Sequence, residues 1–308
     1  MSSCSTTKHI PQGQYLLNKE DLKVEGKGVK KKDLEALVRQ HPNKKIFAFR
    51  FYLWLYNLSS VTKDRKIDQF FQNLGEAPAI YDSIQSVVSL RRIEQYASFR
   101  GYYNAKAEVD VKYRKKKADV EYRVTLSEPY VIRNISYSIP DTTIDTSFIT
   151  DTQKRLIHEG NVFDGQVLEA ETNRINQEMR NRGYYQFHKG YLSYQADTMV
   201  GDKQVDIRLI MQKEQVSGFD EPQNHRRYYV KSLGVNADYD LSAALNNSRY
   251  AITGWDTVNV YNVQMYYKKK PGLKPDIAAI NNTIKIGHLY SEQDVSRTYS
   301  NFSNLRLF

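Results

Sequence analysis

Six histidines, one cysteine and 35 carboxylates are the groups from which this 308-residue chain could build a catalytic or metal centre. Their spacing builds neither. His9, His41, His158, His188, His225 and His288 are scattered, and none has the i,i+4 partner with an intervening Glu that a zinc hydrolase uses. There is no Gly-x-Ser-x-Gly elbow, no phosphate loop and no dinucleotide fingerprint. No pair of carboxylates is marked by surroundings that would push two pKa values apart. The residues therefore give no basis for an enzyme, and no cofactor is expected.

The lone cysteine, Cys4, excludes an internal disulfide and a thiolate metal site. Small residues precede it in Met1-Ser2-Ser3-Cys4-Ser5, as at the end of a bacterial lipoprotein signal peptide, although the apolar signal core is absent. A free thiol in a disordered tail suits the local sequence equally well.

The net charge of +10 and pI near 9.3 imply an anionic neighbour, for which nucleic acid, an acidic membrane surface and acidic polypeptides all qualify. The runs Lys30–Lys32, Lys115–Lys117 and Lys268–Lys270 read as solvated turn tips rather than a dedicated phosphate site. No apolar run approaches the roughly 18 residues that would span a bilayer.

What positions these groups is a repeated unit. Arg100-Gly101-Tyr102-Tyr103 recurs as Arg182-Gly183-Tyr184-Tyr185, and an aromatic residue stands 20 positions before each glycine, Tyr81 and Phe163. Each phrase is a joint: the glycine ends a helix in the left-handed conformation and the tyrosines, Tyr103 and Tyr185, start a core-facing strand. In the first unit, Tyr15–Glu25 reads as a strand and Lys31–Arg39 as a short helix. A second helix runs from Asp82 to Arg100, capped by Asp82 or Ser83, with Val87, Leu90, Ile93 and Ala97 on one face. Tyr103–Tyr113 and Ala118–Leu126 then alternate apolar and polar residues, an antiparallel hairpin with one wet face.

The second unit repeats the order. Tyr130–Ile139 is a strand, Ser147–His158 a helix and Asp164 the start of a second helix stopped by Gly183; Tyr185–Tyr194 and Val205–Met211 form the hairpin. The third begins with Tyr228–Val235, carries an insertion with a strand pair in Trp255–Tyr267, and continues through a helix at Pro275–Thr283. Gly287-His288-Leu289-Tyr290 then matches Gly160-Asn161-Val162-Phe163. Its own hairpin would follow Phe308, so this unit reads as cut short and the natural polypeptide as continuing. The fold class is α+β, in units of strand, helix, helix, strand, strand with two helices on a three-stranded sheet. The expected boundaries are a tail over 1–13 and units at 14–129, 130–218 and 219–308. The first unit carries an insertion over about 42–80.

That insertion holds the most aromatic stretch of the chain, Ile46 to Leu58. Two readings stand: burial against the first unit, or an interfacial membrane anchor in which Phe51, Trp54 and Tyr56 sit at the headgroup boundary while Lys44, Lys45 and Arg50 meet anionic lipid.

The tandem unit, its Gly-Tyr-Tyr joints and the Glu128-Pro129-Tyr130 link resemble the POTRA (polypeptide-transport-associated) domain. Cys4-Ser5-Thr6-Thr7-Lys8-His9-Ile10-Pro11, then Tyr15-Leu16-Leu17-Asn18-Lys19, with Gly75-Glu76-Ala77-Pro78, Tyr81-Asp82 and Gly287-His288-Leu289-Tyr290, resemble the lipidated BamA/TamA-type outer-membrane proteins of Bacteroidota. The resemblance implies periplasmic domains ahead of a membrane β-barrel that is absent from this chain, and lipidation at Cys4. It implies unfolded outer-membrane protein clients, a TamB-like or assembly-machinery partner, the chain's own C-terminal barrel and outer-membrane lipid as neighbours. Clients would join a sheet edge through backbone hydrogen bonds, and Val205, Ile207 and Leu209 are the candidate edge. A TamA-like part in phospholipid transport is the alternative within the family. A basic RNA-binding array is the alternative outside it, opposed by aromatics that alternate toward predicted cores; no specific nucleic acid is expected.

Overall fold

The computed structural model describes residues 6–47, 49–60, 65–236, 239, 245, 255–261, 263–268 and 273–305. By compactness the chain divides into one unit of residues 1–133, 159–166 and 198–205 and another of 134–158, 167–197 and 206–308. Residues 130–133, 159–166 and 198–205 of the second repeat thus belong to the first compact unit.

In the first unit the chain runs β1 (Leu16–Glu25), α1 (Lys31–Glu35), α2 (Phe51–Leu58), α3 (Lys66–Leu74), α4 (Ser83–Phe99), β2 (Lys106–Arg114) and β3 (Lys117–Thr125). The sheet order is β1-β3-β2, with β3 parallel to β1 and antiparallel to β2. Alternation along β3 buries Ala118, Val120, Tyr122 and Val124, the last three in one core with Leu34 of α1 and Ile93 and Ala97 of α4. Asp82 caps α4 by accepting from the Ile84 amide at 2.8 Å.

The buried stripe of α4 keeps Ile93 and Ala97 of the predicted face, with Leu90 packed against the core, but departs from it at Val87. Ser86, Ser89, Ile93 and Ala97 are buried, whereas Val87 is exposed. Positions 86, 89, 93 and 97 lie on one helical face, and Val87 is about 100° off Ser86. The buried hydroxyls have partners: Ser86 Oγ lies 3.2 Å from Tyr122 Oη, and Ser89 Oγ donates to the Gln85 carbonyl at 2.7 Å. Helix α1 is also shorter than expected, ending at Glu35, though Val38 beyond it is still buried.

The second repeat follows as β4 (Val131–Ser138), α5 (Ser147–Thr150), α6 (Gly165–Asn181), β5 (Leu192–Asp197) and β6 (Gln204–Met211), in sheet order β4-β6-β5. Phe148, Ile149, Ile175, Met179, Leu209 and Met211 form its core. Helix α5 is a single turn rather than the span to His158. Strand β5 starts at Leu192, after a short turn of helix at Lys189–Tyr191, not at Tyr185.

The third sheet is β7 (Gly234–Asn236), β9 (Val263–Tyr267) and β8 (Asp256–Val260), in that order, followed by α7 (Pro275–Asn281) and α8 (Glu292–Asn304). The strand pair predicted in the insertion therefore takes the sheet positions held by β2-β3 and β5-β6 elsewhere, with β9 parallel to β7.

Candidate functional site

The three sheets share one pattern: the last strand of the hairpin is central, and the first strand of the repeat and of the hairpin flank it. Strand β6 therefore has a partner on each side. Val205, Ile207 and Leu209 are almost wholly buried in it, so they are not the edge that their alternation suggested. Alternation reports which face a side chain takes, not which strand lies alongside.

The two flanking strands differ. The start of β1 is occupied by its own chain: the Leu17 amide donates to the Ala79 carbonyl at 2.7 Å and the Tyr81 amide to the Tyr15 carbonyl at 2.8 Å. The same pair of bonds recurs as Ile132 to Asn161 at 2.8 Å with Phe163 to Tyr130 at 2.8 Å, and as Val230 to His288 at 2.9 Å with Tyr290 to Tyr228 at 2.8 Å. In the first two repeats the segment leading into the second helix closes the beginning of the first strand, and in the third it pairs with Tyr228–Val230, just ahead of β7.

The hairpin strands β2 and β5 have no such cover; among the described residues no strand pairs with their outer sides. In β5 the Tyr191–Gln212 hydrogen bond sets the register with β6, which turns the amides of Leu192, Tyr194 and Ala196 outward. Leu192 donates to the Lys189 carbonyl, leaving Tyr194 and Ala196 as the open donors. In β2 the outward set is Ala107, Val109, Val111 and Tyr113. Ala107 is taken by Glu94 Oε1 at 3.0 Å, so the open stretch is Val109 to Tyr113. Lys106, Glu108, Asp110 and Lys112 alternate with these residues and guard the strand against self-pairing.

The first two repeats have the POTRA fold. Two helices packed on a three-stranded sheet, in the order strand, helix, helix, strand, strand, are the arrangement that the resemblance implied, and the structure adds the strand order and the parallel pairing of β1 with β3. Among solved structures the chain is similar to POTRA domains 3–5 of Haemophilus influenzae BamA, at 15% identity and a TM-score of 0.44 over 97% of this chain and 90% of that one. It is similar also to POTRA domains 1–3 of the Anabaena Omp85 periplasmic domain (10% identity, TM-score 0.29, 95% and 86% covered). A third similar structure is CdiB from Escherichia coli (11%, 0.27, 68% and 30%). No family model and no curated protein matches.

The joints hold these POTRA units at the closed edges. Gly101 and Gly183 have φ of 93° and 98°, and each ends its helix with the amide two residues past the cap returning to the third-last carbonyl: Tyr102 to Ala97 at 2.9 Å, Tyr184 to Met179 at 3.3 Å. The core-facing tyrosine is the first of each pair, Tyr102 and Tyr184; Tyr103 and Tyr185 are half exposed and precede the strands rather than starting them. Their rings instead reach the closing segment. Tyr103 meets Tyr130 edge-on at 5.0 Å and stacks on Phe163 at 6.2 Å, and Tyr185 meets Tyr228 at 5.9 Å and Tyr290 at 4.8 Å. Gly101 O accepts from the Tyr130 amide, as Gly183 O does from Tyr228.

Each joint is pinned by a half-buried ion pair. Arg100 Nε donates to Asp164 Oδ2 at 2.8 Å. In the other, Arg180 Nη2 donates to Glu292 Oε2 at 2.6 Å and to Tyr290 Oη at 3.0 Å, while its Nη1 donates to the Tyr185 carbonyl at 2.6 Å. The hydrogen bond from Tyr290 and the ion pair hold the Glu292 carboxyl below its ordinary range against the opposing effect of burial. Burial first, then that same bond, push Tyr290 up to about 12.

In the aromatic insertion only Leu53 of α2 is fully buried, packed with Ile10, Leu16 and Ile80. Phe51 is exposed, and Trp54 and Tyr56 are half-buried. Arg50 is not available to lipid: it is buried, with Nη1 donating to Asn18 Oδ1 at 3.0 Å and Nη2 to the Asn18 carbonyl. Cys4 lies outside the described residues, among which no cluster of His, Cys, Asp and Glu could hold a metal.

Proposed function

We propose that the chain is the periplasmic POTRA region of an outer-membrane protein assembly or translocation factor, and that it receives unfolded client strands at the open edges of β2 and β5. The observation that carries this reading is the asymmetry of the sheets: one flank is closed by the chain itself, and the other presents unpaired backbone groups. An incoming strand would pair with the Tyr194 and Ala196 amides, or with Val109 to Tyr113, whatever its own side chains are. Such backbone-borne affinity suits many clients. The three units at 14–129, 130–218 and 219–308, a lipid anchor at Cys4, a membrane barrel after Phe308 and a TamB-like or assembly-machinery partner complete the proposal.

Ala196→Pro tests it, because the proline deletes an outward donor and disturbs no ladder bond. Photo-crosslinking of an unfolded outer-membrane protein peptide to β5 should fall at least fivefold in this variant while its thermal transition stays unchanged. Undiminished crosslinking in the folded variant refutes augmentation at β5. Phospholipid copurifying with the chain, with no captured peptide, would instead favour the lipid-transport reading.

A further inference from the structure

We infer that the Ile46–Phe49 turn and the adjoining face of α2 contact an anionic lipid surface, with Phe47 as the inserting ring. This goes beyond the client edge and does not depend on it.

The turn is a closed one: the Ile46 amide donates to the Phe49 carbonyl at 2.8 Å and the Phe49 amide to the Ile46 carbonyl at 3.0 Å. Phe47 sits in it with φ of 53°, a backbone region that bulky side chains avoid, and its side chain is 98% exposed. The turn's two hydrogen bonds thus hold a disfavoured backbone conformation that presents a large apolar ring to solvent. Behind it the rings form one patch: Trp54 lies 6.3 Å from Phe49 and 5.8 Å from Phe51, and Phe51 lies 5.8 Å from Tyr52. Phe49, Phe51 and Tyr52 are all exposed.

Three observations select a lipid surface as the occupant. A single ring protruding from a turn tip suits a soft interface, whereas a folded partner would need a groove or a flat patch. Trp and Tyr beside Phe is the composition of the headgroup boundary. Lys44 and Lys45, both exposed, lead into the turn, and Glu76 accepts from the Lys44 backbone amide. The patch is also held close to the start of the chain. Lys8 Nζ donates to the Asn57 and Ser59 carbonyls at the end of α2, at 2.7 and 3.3 Å, His9 meets Tyr56 edge-on at 6.0 Å and Ile10 packs on Leu53. Cys4 is four residues from Lys8, a reach of at most about 14 Å. A lipid there would deliver this patch to the surface, but the patch's own affinity is the claim.

The test uses the chain carrying Cys4→Ser, which removes any acyl group, in flotation with phosphatidylcholine vesicles with and without phosphatidylglycerol. The chain should float with the anionic vesicles. Phe47→Ser, at a position too exposed to affect folding, should lower the bound fraction about tenfold or more, and Lys44→Glu with Lys45→Glu should abolish the preference for anionic vesicles. Absence of flotation on either vesicle, or equal flotation by Phe47→Ser, overturns the inference. Loss of the Cys4 lipid proposal, tested by mass spectrometry of the membrane-extracted chain, would leave these results unchanged.

Discussion

The two flanks of each sheet behave oppositely, and the contrast explains the repeated phrase. At the closed flank, backbone bonds from the Ala79–Tyr81 and Asn161–Phe163 segments occupy the start of the first strand, and those from His288–Tyr290 the residues just ahead of it. In the two later cases the preceding Gly-Tyr-Tyr joint presses on that segment. At the open flank, β2 and β5 keep outward amides, those of β2 guarded by charges. The fold thus spends its most elaborate contacts on sealing one side and leaves the other receptive.

The largest expected effect breaks the comparison at its centre. Ile207→Pro in β6 removes a ladder donor and a buried side chain together, and should cost at least about 4 kcal/mol. Urea denaturation would show the loss, and a near-native midpoint would mean that β6 is not central.

Next come the joints, which are unequal. A Cβ on Gly101 would stand 2.9 Å from the Phe163 carbonyl oxygen and 2.8 Å from Val162 Cγ1; one on Gly183 would meet Leu289 Cδ2 at 2.8 Å, a side-chain tip that can turn aside. Both carry the strain of a positive φ. Gly101→Ala should therefore cost about 3 kcal/mol and Gly183→Ala about 1–2 kcal/mol, measured by the same denaturation; the reverse order would contradict the packing argument.

A smaller effect is pH-dependent. Because the Glu292 pKa is lowered in the folded chain, its contribution is present above the ordinary carboxylate range and is lost as pH falls through the lowered value. Glu292→Gln should reduce the melting temperature at neutral pH, and the difference from the unaltered chain should shrink as pH falls below the ordinary carboxylate range and vanish below the lowered value. A difference that persists in acid would remove the ion pair from the account. The smallest effect belongs to the open flank, where Ala196→Pro should change stability by less than about 0.5 kcal/mol.

Much of this was legible in the sequence for definite reasons. Gly101 and Gly183 fell where helical periodicity stopped, Asp82 preceded the helix it caps, and Ala118, Val120, Tyr122 and Val124 alternated as a half-buried strand must. Strand adjacency was not legible, since Val205 and Ile207 would alternate identically at an edge or a centre. Val87 was misjudged as buried in place of Ser86 and Ser89, whose hydroxyls have hydrogen-bond partners, so polarity there does not signal exposure. Tyr102 and Tyr103 are chemically alike, and only the turn after Gly101 decides which one enters the core. The closing segments left one trace: Tyr15, Tyr130 and Tyr228 recur opposite Tyr81, Phe163 and Tyr290.

Residue-resolved amide hydrogen exchange of the folded chain, with and without an unfolded outer-membrane protein peptide, tests the asymmetry directly. Leu17 and Ile132 should be protected throughout, while Val109, Val111, Tyr194 and Ala196 should exchange fast alone and become protected when the peptide is added. Protection of the second set without peptide, or its failure to gain protection with peptide bound, would contradict the account.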